Sequence, residues 1–186
     1  MACLSKIQSA ITYDCDGGNV GFISALLINK EDIASFAFSE GSTSFVDSIT
    51  LKEGAKAYKI DTVKKSLVIT ESLKTNEGAP NAFTHSVTTT VTTTQNSTLY
   101  RDLINPSANG SFVVLTRGLQ APGQSGNPIR VYGLYYGMSA TAIDRSSHEN
   151  GGWFTITMST PERVIGEDTL SLMSSTYNTL YDAAVG

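Results

Sequence analysis

Ser66-Leu67-Val68-Ile69-Thr70-Glu71-Ser72-Leu73-Lys74-Thr75-Asn76-Glu77-Gly78-Ala79-Pro80-Asn81-Ala82-Phe83-Thr84-His85-Ser86-Val87-Thr88-Thr89-Thr90-Val91-Thr92-Thr93-Thr94 is the stretch on which the fold of this 186-residue chain turns. Leu67, Ile69 and Leu73 lie on one face of an extended chain, Asn76-Glu77-Gly78-Ala79-Pro80 supplies turn residues, and Phe83, Val87 and Val91 return on the same period of two. A long β-hairpin over about 66–94 is predicted. The opposite face of the returning arm is Thr84, Ser86, Thr88, Thr90, Thr92 and Thr94, a row of hydroxyls without one charge. β-Branched threonine favours strands, and its hydroxyl bonds a neighbour or water. Two readings of the row stand: a solvent-exposed strand face, or a strand that meets another subunit. Monomers usually guard a long edge with Lys or Pro, and residues 82–94 contain neither.

Working outward, residues 20–28 are almost continuously apolar, as in a strand covered on both faces, and Ala34, Phe36 and Phe38 then alternate with Ser35, Ala37 and Ser39. Residues 45–52 and 55–61 flank Glu53-Gly54, which reads as a tight hairpin. A short helix is expected next, capped by Asn96 or Ser97, with Leu99, Tyr100, Leu103 and Ile104 on one side and Pro106 ending it. Further strands are predicted at 111–117, 129–136, 138–144 and 154–159, the last closed by Pro161. Tyr177, Leu180, Tyr181 and Ala184 fall at helical spacing and fit a short amphipathic helix or a partner-docking tail within 163–186. With no internal repeat and no linker, the chain reads as one mainly β domain over 1–186, a β-sandwich or barrel with a long hairpin and one or two short helices.

Composition narrows the function. Charged residues are 16% of the chain, against about 25% in an average globular protein, and the formal net charge is −4. No basic stripe for neutralising phosphates is present, so tight DNA binding is disfavoured. Cys3 and Cys15 are too few for a disulfide framework, and with only His85 and His148 beside them they fit no zinc pattern; both read as reduced thiols. The first residues carry no charged leader followed by an apolar core, and no apolar run reaches membrane-spanning length, so synthesis in a cytoplasm and no membrane insertion are expected.

No catalytic signature emerges. Neither a phosphate-cradling loop nor a dinucleotide fingerprint is present, and Gly123-Gln124-Ser125-Gly126 has the wrong spacing for a nucleophile elbow. His85 has no acidic sequence neighbour, and His148-Glu149 lies in a polar run that reads as a surface turn. Asp14-Cys15-Asp16-Gly17-Gly18-Asn19 begins like a calcium loop, but the twelfth position is Ala25 instead of Glu. Asn96-Ser97-Thr98 and Asn109-Gly110-Ser111 are glycosylation patterns that, without secretion, read as loop chemistry. No enzyme activity, cofactor or metal is expected.

Three blocks carry a resemblance. They are 3–16 leading into Leu26-Leu27-Ile28-Asn29-Lys30-Glu31-Asp32-Ile33; 49–58 around Leu51, Gly54 and Lys56; and Val131-Tyr132-Gly133-Leu134-Tyr135-Tyr136-Gly137-Met138 running through Asp144 to Phe154-Thr155-Ile156 and Thr160-Pro161-Glu162. In these the chain resembles the tail tube proteins of phages and prophages of gut Bacteroidetes-type bacteria; the likeness is weaker over 66–95 and past Glu162. The resemblance implies a virion subunit that assembles with itself, and with other tail proteins, into stacked hexameric rings through which DNA passes without specific binding. On that reading the lumen is poor in Lys and Arg, is lined partly by 66–94, takes its inward carboxylates from Asp61, Glu71 and Glu77, and is not ringed by Lys64, Lys65 and Lys74 without matching carboxylates. Two alternatives stand beside it: a capsid decoration or head-tail connector protein, and a carbohydrate-binding or adhesive β-sandwich with Tyr132, Tyr135, Tyr136 and Trp153 as an aromatic platform.

Overall fold

A computed structural model describes residues 22–60, 67–91, 98, 100–119, 127–146, 153–162 and 166–185. The expectations at Cys3, Asp14, Cys15, Asp61, Lys64, Lys65, Thr92, Thr94, Asn96, Ser97, Leu99, Ser125 and His148 lie outside these. Among the described residues are eleven strands: β1 Phe22–Asn29, β2 Ile33–Phe38, β3 Phe45–Leu51, β4 Tyr58–Ile60, β5 Val68–Lys74, β6 Ala82–Val91, β7 Phe112–Gly118, β8 Ile129–Tyr132, β9 Ser139–Arg145, β10 Phe154–Ser159 and β11 Leu170–Leu172. The helices are α1, Asn105–Asn109, and α2, Ser174–Val185. The chain is thus mainly β, as its alternating patterns require.

The strands form two sheets, one of seven in the order β2-β3-β11-β8-β7-β1-β4 and one of four in the order β5-β6-β10-β9. Neither sheet closes on itself, so the architecture is a sandwich and not a barrel. The central strands β1 and β7 are apolar on both sides because both sides are covered. Leu26, Ile28, Val113 and Leu115 meet Tyr177 and Leu180 of α2, while Ala25, Val114, Phe112 and Tyr132 meet Val87, Phe154, Ile156 and Met158 of the small sheet. Helix α2 touches β3 towards one edge of the large sheet and β4 at the other, so the large sheet curls around it. Tyr177, stacked on Tyr181 and bonded through its hydroxyl to Ser24 Oγ at 2.8 Å, pins the helix in that trough. The C-terminal segment is therefore a helix seated on this chain's own core.

The predicted hairpin is present. β5 and β6 pair in unbroken register from Val68 opposite Thr88 to Lys74 opposite Ala82. Gly78 takes φ +77° in the turn, and Asn76 spans it by donating from its side chain to Pro80 O at 2.9 Å.

Three sequence expectations need correcting, and one strand was not expected. Glu53-Gly54 does turn, with Gly54 at φ +76°, but the flanking strands do not pair: β3 lies between β2 and β11, and β4 pairs with β1 at the far edge. Turn chemistry is local, whereas the choice of partner follows burial, and Ala57 enters the α2 core on the way across. Pro106 opens α1 instead of ending a helix, because the first turn needs no donor at that position; residues 100–104 before it form a π-helical turn. The strand predicted over 129–136 stops at Tyr132, since Gly133 and Gly137 adopt φ +78° and +74° and make a turn of 133–137. β11 is an addition: Leu-Ser-Leu is too short to show a period, yet it lies mid-sheet, parallel to β3 and antiparallel to β8.

A hydroxyl face and a buried polar cluster

The four-stranded sheet has one face on the core and one away from it. Along β6, His85, Val87 and Thr89 are buried, and Thr84, Ser86, Thr88 and Thr90 stand on the outer side. Register then sets hydroxyl against hydroxyl: Thr155, Thr157 and Ser159 of β10 lie opposite Thr90, Thr88 and Ser86, and Thr70 and Ser72 of β5 lie opposite Ser86 and Thr84. The side chains bond laterally. Thr88 and Thr157 hydroxyls are 3.1 Å apart, Ser159 donates to Ser86 at 3.2 Å, and Thr141 of β9 comes within 3.4 Å of Ser159. Hydroxyls that are both donor and acceptor can satisfy one another in this way without charge. On the described part of this face, Lys74 stands at the hairpin end, its ammonium donating to Glu162 O at 2.9 Å, and Asp144 stands at the other end opposite Thr155.

The carboxylate candidates fare differently. Glu71 sits on the core-facing side of β5, where Oε1 accepts from the Tyr132 hydroxyl at 3.0 Å and Oε2 from the Thr169 hydroxyl at 2.8 Å. Glu77 is exposed in the hairpin turn. Asp144, which sequence reasoning did not single out, is the described carboxylate that shares the hydroxyl face.

Sheet edges differ too. β2 meets its neighbour with two register breaks and β4 has only three residues, both common ways of blunting an edge. The outermost strands of the small sheet, β5 and β9, are seven residues each. Three successive antiparallel pairings separate them, so they run antiparallel to one another.

The four aromatic residues of the adhesive alternative do not come together as one platform. Tyr132 is buried, Tyr135 and Tyr136 are half exposed in the 133–137 turn, and Trp153 lies at the opposite end of the small sheet beside Phe154. Tyr135 packs against Phe36 and Phe38 of β2, with ring centres at 5.8 and 6.3 Å, and 6.5 Å from Tyr136.

Behind the hydroxyl face lies a polar cluster that joins the two sheets. Glu167 is 4% exposed, and its carboxylate accepts the backbone N–H of Gly133 and, at 3.0 Å, that of Tyr135. Its own N–H is given to Phe83 O at 3.0 Å, so it ties the hairpin to the 133–137 turn. Burial pushes its carboxyl up, and the backbone N–H groups of the turn pull it back. His85, 1% exposed, lies 3.9 Å through Nδ1 from Glu167 Oε1 and edge-on to Tyr132 at 5.2 Å. Burial holds its imidazole below the usual histidine range, against the opposing pull of Glu71 and Asp168. Burial, with Glu71 beside it, drives the Tyr132 phenol upward. His85 thus has acidic neighbours in space that it lacks in sequence; the glycines at 133 and 137 hinted at a turn, but nothing in the chain linked Glu167 to it.

Among the described residues, no group of three or more His, Cys, Asp or Glu could hold a metal ion, and no helix is long and apolar enough to cross a membrane. Comparison of the chain with protein-family models, with characterised proteins and with solved structures finds no match.

Proposed function

We propose that this chain is a structural, non-enzymatic virion subunit, a phage tail tube protein, that associates with copies of itself through the outer strands of its small sheet. The observation that carries the reading is the match between β5 and β9, equal in length, opposite in direction and bordering one hydroxyl face. A second copy in the same orientation would set its β5 antiparallel to β9 of the first and continue the sheet with every hydroxyl row on the same side. Such a head-to-tail contact closes into a ring when its rotation divides the circle. Six four-stranded sheets make 24 strands, and at about 4.8 Å per strand and a tilt of roughly 40° the ring is about 50 Å across between backbones.

The hydroxyl face would then line the lumen. Phosphates gain salt-dependent affinity from each Lys or Arg they meet, so a hydrated face of hydroxyls, with Lys74 at its hairpin end against the expectation for the lumen and Asp144 at the other, lets DNA pass with little brake. The net charge of −4 favours the same outcome. Inward carboxylates come from Asp144, while Glu71 is committed to Tyr132 and Thr169. Electron microscopy of the purified protein tests the reading: rings or tubes support it, and a monomer at high concentration, with natural tail partners added, ends it. The adhesive reading rests on the exposed Tyr135–Tyr136 pair beside Phe36 and Phe38; saturable binding of a glycan, lost in Tyr135→Ala, would favour it instead.

A further inference from the structure

His85 and Glu167 face each other where the hairpin meets the 133–137 turn, and the hydrogen bonds around them decide which nitrogen carries the imidazole proton. The single hydroxyl hydrogen of Thr169 goes to Glu71 Oε2 at 2.8 Å. Towards His85 Nε2, at 3.3 Å, the same oxygen can therefore only accept. Nε2 holds the proton of the neutral ring, and Nδ1 presents a lone pair. That lone pair has no hydrogen-bond partner among the described residues and stands 3.9 Å from Glu167 Oε1.

Two electron-rich atoms thus confront each other in the interior. Neither backbone can retreat: the His85 N–H is given to Thr160 Oγ1 at 2.9 Å and its carbonyl accepts Thr160 N–H at 2.9 Å, while Glu167 is held by Gly133, Tyr135 and Phe83. We propose that the pair is a proton-operated clamp, in which one proton from solvent enters on His85 Nδ1, is shared with Glu167 Oε1, and draws β6 onto the 133–137 turn. No other bond forms or breaks, and the local charge rises by one. The groups that face the imidazole are Glu71 from β5, Tyr132 from β8, and Glu167, Asp168 and Thr169 from the segment before β11. Burial opposes the imidazolium, and Glu71 and Asp168 favour it. Burial is the larger effect, so the clamp closes in acid, below the ordinary range of histidine. In isolation a buried neutral histidine is an inert packing residue; the bare Nδ1 aimed at a carboxylate is what makes this one a proton site.

The test is a titration of the imidazole nitrogens by NMR on the full chain. Only two histidines are present, so His148→Gln leaves one ring signal. The expected result is the Nε2–H tautomer at neutral pH, protonation of Nδ1 with a midpoint below 6.5, and the same midpoint in the Gly133 and Tyr135 amide shifts. Glu167→Gln should lower that midpoint by about one unit or more, a tenfold loss of proton affinity. An Nδ1–H tautomer at neutral pH, or a midpoint in Glu167→Gln equal to wild type, overturns the clamp. Should that variant fail to fold, the tautomer and the shared midpoint in the chain carrying native Glu167 decide alone. Neither readout depends on whether the protein forms rings.

Discussion

Replacing Glu167 by Ala removes a side chain with almost no solvent contact, and its cost can be worked from the bonds it makes. The carboxylate accepts two backbone N–H groups, of Gly133 and Tyr135, in a buried turn. Bonds to a charged acceptor are worth about 1.5–3 kcal/mol each, and the orphaned donors lose their partner without gaining water. Against this, the carboxylate no longer has to be desolvated, a burden visible in the upward push on its pKa. The balance is a loss of about 3 kcal/mol. For a chain of this size that corresponds to a fall in Tm of roughly 6–12 °C. Urea titration followed by tryptophan fluorescence and circular dichroism measures it, with Glu77→Ala in the exposed turn as a control expected within about 0.5 kcal/mol of wild type. A Glu167→Ala variant as stable as that control would refute the reasoning that this carboxylate joins hairpin to turn.

Other perturbations separate the remaining claims. Thr70→Asp together with Thr141→Asp places like charges along the two outer strands, so sedimentation should find monomers with an unchanged circular dichroism spectrum; persisting rings would sink the edge-to-edge contact. His85 is held below its unfolded value of 6.5, so the unfolded chain binds its proton first: this contribution to stability is present above pH 6.5 and is lost as pH falls through that window. The raised Glu167 acts in the opposite sense, its contribution being lost as pH rises above the unfolded value of 4.5, so His85→Gln isolates the histidine: relative to wild type, the acid loss below pH 6.5 should flatten. Gly133→Ala should lower stability by more than about 1 kcal/mol, because φ is +78° and the new Cβ would lie 2.6 Å from Met138 Cγ and 2.9 Å from Phe112 O; a neutral result would mean that the turn can rebuild.

Period and turn chemistry are local, and wherever they decided the outcome the sequence was enough. The alternation of Phe83, Val87 and Val91 with Thr84, Ser86, Thr88 and Thr90, broken by Asn76 to Pro80, specified a hairpin, its inner side and its hydroxyl side before any partner was known. Continuous apolarity in β1 likewise announced a strand covered on both faces. Helical spacing of Tyr177, Leu180 and Tyr181 gave α2, although only packing seated it in the trough of the large sheet. What the sequence left undetermined was every pairing between distant segments. Gly54 turned the chain but did not choose the neighbour of β4, Leu170–Leu172 carried too few residues to read as a strand, and Glu167 was one acid among many until Gly133, Tyr135 and His85 came round it. A period of two is written in four to eight neighbouring residues; the partner of a strand or of a buried carboxylate depends on which distant surfaces exclude water together, and that is decided only when the whole chain folds.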